Sequence, residues 1–202
     1  MKTITFTILS LFLSTSIFAQ LSFWTLESEL LNKVQYKANS VTVSDEYALL
    51  SAHLYDQERG AAAIFRLVDE EWEEIGVITA SDGVPGDLFG LGASIDGNQI
   101  LIGAPTDNFS SNLTGKIYFF KVEDDQVTET ASFEPDLSGN AAFGLISDME
   151  SDLAIVSAPD NQFGSGAVVI YRKGDNGWAE EQVISPEQGY NTMSFGAGVS
   201  IS

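Results

Sequence analysis

Apolar and polar positions alternate along this chain in short runs, each closed by Gly, Asp, Asn or charged residues, and the whole arrangement recurs. The middle third shows it most clearly. The alternation predicts strands near 91–95, 99–104, 116–122 and 127–133. Asp96-Gly97-Asn98 separates the first two, because Asp-Gly accepts the positive φ of a tight hairpin. Glu123-Asp124-Asp125-Gln126 separates the last two as a polar turn. The third strand, Lys116 to Val122, is rich in the β-branched and aromatic types that suit a half-buried sheet.

Laying the chain over itself repeats this unit. Ala52, Ala104 and Ala158 mark the same strand end; Gly60, Gly115 and Gly166 mark the start of the third strand; Phe89, Phe143 and Phe195 mark the entry to a unit. All three landmarks recur with one period of about 52 residues, and a fixed period of this size is the signature of repeated sheet units. The expected division is 1–19 an export signal, 20–37 an N-terminal segment, 38–86, 87–140 and 141–192 three four-stranded antiparallel units, and 193–202 the first strand of a fourth. Such units predict an all-β fold, a β-propeller with one blade per unit. Within it Gly92, Ala93, Gly103 and Ala104 are expected to let inner strands crowd the propeller axis. Phe89 and Phe143 are expected to fill the wedge between blades, and Pro105 and Pro159 to end strands where no ladder donor is needed.

Charge sharpens the picture. Lys and Arg total 9 against 29 Asp and Glu, a net charge of −20. A surface this acidic repels nucleic acid and anionic headgroups. There is no cysteine, which excludes disulfides, thiolate metal sites and thiol nucleophiles. Lys2, the uncharged run Ile4 to Phe18 and Ala19 before Gln20 have the layout of a secretory signal peptide. That run is too short and too rich in Ser and Thr for a membrane span, so no membrane insertion is expected after its removal.

Phe89-Gly90, Ile100-Leu101-Ile102-Gly103-Ala104-Pro105 and Gly115-Lys116-Ile117-Tyr118-Phe119-Phe120 resemble the FG-GAP repeat, which builds the propeller of integrin α subunits and of many secreted bacterial proteins. Phe143-Gly144, Ala158-Pro159, Gly166 and Phe195-Gly196 repeat its signature. Thr79 to Gly90 resembles the phrase that joins successive blades in the bacterial subgroup. The resemblance implies a ring of about seven blades, of which this sequence holds three and the start of a fourth; the expectation is therefore a fragment with an incomplete ring. Phe23 to Leu30 resembles a last strand of the kind that closes such a ring. Many members carry a calcium loop between the first two strands. The side chains here that come nearest to one are Asp96, Asn98, Asp148 and Asp152, and they lack the regular spacing a hard cation needs. No cofactor is expected, and these stretches are taken as hairpin turns.

Little else points to catalysis. His53 is the lone histidine and stands where the other units have Pro105 and Pro159, at a strand end. No G-x-S-x-G elbow or Ser-x-x-Lys phrase occurs, and the carboxylate pairs Glu70-Glu71 and Asp124-Asp125 fall in turns. Gly83 to Asp87 lacks the lysine of a phosphate loop and leads into a strand. Trp24, Trp72 and Trp178 are candidate sugar platforms, but Trp72 and Trp178 share one repeat position, which favours packing. Asn108 and Asn112 begin glycosylation sequons. The expected function is a non-enzymatic, secreted or cell-surface binding module for an extracellular protein or glycan. Its contact surface would be the loops 53–60, 105–115 and 159–166. The alternatives are the propeller part of a larger extracellular hydrolase and a scaffold without a ligand.

Overall fold

The structure, a computed structural model, describes residue 38 and residues 40–106, 114–137, 141–161, 165–186 and 194–202. The expected signal peptide, the N-terminal strand with Trp24, and both sequons lie outside these residues.

Among the described residues twelve strands form three sheets, each a simple meander of four antiparallel strands. The first blade is β1 (Ser40–Ser44), β2 (Tyr47–Ala52), β3 (Ala61–Val68) and β4 (Glu71–Ile78). The second is β5 (Gly92–Asp96), β6 (Gln99–Ala104), β7 (Lys116–Glu123) and β8 (Gln126–Phe133). The third is β9 (Ser147–Glu150), β10 (Leu153–Ala158), β11 (Ala167–Gly174) and β12 (Gly177–Ile184). These are β-propeller blades, within a residue or two of the strands expected from alternation. The hairpin loops are shorter than expected: Asp124-Asp125 alone turns β7 into β8, with φ of 49° and 60°. Asp69-Glu70 does the same in the first blade with φ of 48° and 70°, so two acidic residues take the left-handed backbone of a tight hairpin.

Every blade carries a bulge at one place. The register of the third strand on the fourth slips between Ile64 and Phe65, between Phe119 and Phe120, and between Ile170 and Tyr171. In the first blade burial along the fourth strand changes phase midway, with Glu73 and Glu74 both exposed, whereas in the second blade it alternates strictly from Gln126 to Phe133.

The core lies between blades, and strand alternation explains why. On the second blade Ile100, Ile102, Tyr118, Phe120 and Val122 face the first blade, where they meet Leu49, Ala62 and Ile64. Leu101, Ile117 and Phe119 point the other way, onto Ala154, Val156, Val169, Tyr171 and Trp178 of the third. Each inner strand is thus apolar on both faces, as strands buried on both sides must be.

Phe89 and Phe143 are fully buried in these two seams, as wedges. At Gly92 and Gly103 the close approach is to the neighbouring blade. A Cβ on Gly103 would lie 1.9 Å from the carbonyl oxygen of Gly144, and one on Gly92 would lie 2.2 Å from the same atom. Their bareness lets the backbone of the next blade's Phe-Gly turn approach closely. Residues 196–202 continue past the third such turn without forming a strand.

Candidate functional site

Each blade has two ends. At one end sit the turns between its first and second strands and between its third and fourth. At the other, the rim, sit the loop from second to third strand and the linker to the next blade.

The rim is built around the Phe-Gly turn. The Phe89 amide donates to the carbonyl of Arg59 (3.2 Å), that of Phe143 to Thr114 (2.8 Å) and that of Phe195 to Ser165 (3.1 Å). Gly60, Gly115 and Gly166 lie against these turns with φ of 87°, 93° and 84°, and a Cβ on any of them would strike the phenylalanine backbone at 2.1–2.3 Å. The residue before each phenylalanine also has positive φ: Leu88 at 58°, Ala142 at 50° and Ser194 at 46°. A side chain in that conformation persists only where its surroundings hold it. The Gly90 amide then donates to Gly103 and the Gly144 amide to Ser157, which seats the turn on its own blade. The signature residues Phe89, Gly90, Gly103, Gly115, Phe143, Gly144, Gly166, Phe195 and Gly196 thus form the splice at which one blade meets the next, while Ala104 and Ala158 end second strands, each followed by its proline, Pro105 or Pro159.

In the first blade the rim loop is zipped to the linker. The carbonyls of Gln57, Glu58 and Arg59 accept from the amides of Gly86, Leu88 and Phe89. Asp56, Gln57 and Glu58 within Tyr55–Glu58 have φ of 48°, 60° and 64°, a turn of left-handed backbone that this zipper holds in place. Leu54 and Val84 stand exposed on either side of it.

A cavity of about 130 Å³ opens on the second blade beneath this linker, lined by Asp82 and Asp87 from the linker, Thr106 and Lys116 from the rim loop and its strand, Tyr118, and Glu134. Lys116 and Tyr118 lie two apart on β7 and so share a face. Both reach Asp82: Lys116 as an ion pair, and the Tyr118 hydroxyl by donating to Oδ1 at 2.7 Å. These two bonds, Lys116 first, hold the Asp82 carboxyl below the usual carboxylate range. Burial pushes the Tyr118 hydroxyl well above its ordinary value, and the bond to Asp82 adds to this. Asp87 accepts the Val84 amide at 2.7 Å, closing the linker turn, while its backbone carbonyl accepts the Thr106 amide. Burial raises its pKa from the ordinary value. Glu134 accepts from the Thr114 hydroxyl at 3.3 Å. The cavity therefore offers an ammonium held by Asp82 together with the carboxylates of Asp87 and Glu134, a setting that hydrogen-bonds polar groups.

The four side chains considered for calcium are engaged elsewhere. Asp96 accepts the Ser151 amide at 2.6 Å, and Asn98 donates to the Val122 carbonyl at 3.0 Å. Asp148 accepts the Met149 and Ile201 amides, and Asp152 pairs with Arg172. Among the described residues no three His, Asp or Glu side chains are placed to hold a metal ion. His53 is half-buried just past β2, and burial lowers its pKa, with Glu58 opposing. Trp178 stacks on Phe119 in the seam at 4.4 Å, so its face is not offered to a sugar.

Of the rim loops expected to form the contact surface, the structure describes 53–60, the ends of 105–115 and part of 159–166. It adds Asp82, Asp87, Tyr118 and Glu134, which were not singled out from sequence. The alternation of β7 pairs Lys116 with Tyr118; nothing local brings Asp82 to them across 34 positions.

Residues 72–120 match the family model described as the FG-GAP repeat, so the chain carries an FG-GAP repeat there. The matched stretch runs from the last strand of the first blade through the linker and Phe-Gly turn to the third strand of the second. The family's unit thus straddles a seam. The comparison with curated proteins gives no match. Among solved structures the chain is similar to Sqt1 of Saccharomyces cerevisiae, at 9% identity and a TM-score of 0.47, over 74% of this chain and 36% of that one. The chain thus spans about a third of that protein's length.

Proposed function

We propose that this FG-GAP propeller chain is a non-enzymatic extracellular binding module, and that its contact surface is the rim where linker and second-to-third-strand loops meet. The observation that carries this reading is the cavity of about 130 Å³ beneath the linker of the second blade. Its volume is below that of a drug-sized ligand's pocket, and it suits a side chain or a single sugar unit of a larger partner. The exposed Val84, whose amide is bound by the lining residue Asp87, supplies apolar contact beside it. A rigid sheet scaffold presenting variable loops at one end is a general solution for recognition. The reading takes binding to need no calcium, and the hydrogen bonds of Asp96 and Asp148 to backbone amides support that. The leader-like start of the chain supports export, and the net charge of −20 disfavours nucleic acid as a partner.

The test is a glycan array together with direct binding to purified extracellular proteins, using the whole exported chain with and without a chelator. Binding unchanged by chelator, and weakened at least about tenfold by Lys116→Ala, is the expected result. A chain that binds nothing on either panel, or binds through the opposite end of the blades, would overturn the proposal.

A further inference from the structure

The end of the blades opposite the rim carries a second, independent set of fastenings. The Ser44 hydroxyl of the first blade accepts the Gly97 amide of the second at 2.8 Å. One blade on, Asp96 Oδ2 accepts the Ser151 amide of the third at 2.6 Å. Ser44 and Asp96 hold the same repeat position, the last residue of a first strand; Gly97 and Ser151 hold the next position, the first residue of the hairpin turn. The turn residues share a backbone as well, with φ of 51° at Gly97 and 57° at Ser151. That conformation aims an amide left unpaired by a two-residue turn out of the sheet, towards the preceding blade. The same contact made twice at one register is a property of the repeat.

We infer that these turns act as clasps between blades, and that Asp96 is the principal one. The Phe-Gly splice ties neighbouring blades only at the rim. Between the blades the seam is apolar packing without direction; a clasp at the end opposite the rim adds a directional bond that fixes the angle, and with it the rim loops, of adjacent blades. The clasp at Asp96 is reinforced. Gln99 donates to the Ser151 carbonyl at 3.1 Å, and Lys173 of the third blade donates to Gln99. Ser151 is thus gripped at both its amide and its carbonyl. A carboxylate acceptor also makes a stronger bond than a hydroxyl does, so the second clasp outweighs the first. At the first seam the added contact is one exposed ion pair, Arg66 with Asp125 at 2.9 Å.

Amide hydrogen exchange on the whole chain, resolved at Ser151 and Gly97, tests this. Asp96→Ala should speed exchange at Ser151 at least about tenfold and leave Gly97 unchanged. Asp96→Asn keeps an acceptor oxygen and should restore most of the protection. Spin labels on the outer strands of the second and third blades should show a broadened distance distribution for Asp96→Ala alone. If Asp96→Ala remains folded with Ser151 as protected as before, or if Asp96→Asn loses protection as fully as the alanine variant, the clasp does not exist as described.

Discussion

The two seams between blades share one backbone and differ in what fills it. In the seam between first and second blades Phe89 meets Tyr118 and Phe120 edge-on, at ring separations of 5.4 and 6.1 Å, and aliphatic side chains supply the rest. In the seam between second and third, Phe119 lies flat on Trp178 at 4.4 Å. Phe133 leans on Tyr171 at 4.9 Å, and Phe143 approaches Tyr171 at 6.4 Å. The Phe-Gly turn, the bare glycine facing it and the left-handed residue before it are common to both. The repeat therefore specifies how blades are joined, while the packing of each joint is left to vary with whatever fills the wedge to native density.

The largest effects should come from the parts of this comparison that sequence makes look equal. Phe143 and Phe195 occupy one repeat position, yet Phe143 is fully buried and Phe195 is 41% exposed. Phe143→Ala should destabilise by about 4 kcal/mol, as measured by denaturant unfolding. A loss under about 1 kcal/mol would mean that the second seam does not rest on its phenylalanine wedge. Gly103→Ala, whose Cβ would collide with backbone at 1.9 Å, should cost about 3 kcal/mol. Gly76→Ala, with nothing within 4 Å of the added carbon, should be close to neutral or mildly favourable.

A smaller effect is expected at the rim. Asp82→Ala strips the acceptor from the buried Tyr118 hydroxyl and should cost about 1–2 kcal/mol, with Asp82→Asn recovering part of it. Because the Asp82 carboxyl titrates below its ordinary value in the fold, its contribution is present above the unfolded value and is lost as pH falls through the folded one. Acid unfolding of the wild type should therefore be steeper below about pH 4 than that of Asp82→Asn. Asp87, whose pKa is raised, works in the opposite sense and shallows the same slope. The smallest effect concerns His53. Its pKa lies below 6.5 in the fold, so the unfolded chain takes up a proton first and stability declines as pH falls through that value; His53→Gln should flatten the decline.

Much of this architecture is legible in the residues themselves. Alternation places β6 at Gln99–Ala104 and both outer strands of the second blade to within two residues. The period places the blades, because side-chain direction in a strand and the chirality of tight turns are local properties. The bulges are not legible, since one inserted residue leaves composition unchanged and, in the second blade, leaves the alternation of Gln126–Phe133 unbroken. Nor was the rim cavity: Asp82 and Asp87 stand in the linker phrase, but their partners lie in another element.

The sequence alone determined that there are blades, where each lies along the chain, and that the chain is strongly acidic. Tertiary structure decided why the signature residues are what they are. Gly103 is bare because a carbonyl of the next blade rests on it, and Asp96 is acidic at a turn where its partner amide lies 55 positions away. Local patterns follow from a residue's own conformation, whereas these contacts exist only once one blade is laid against another.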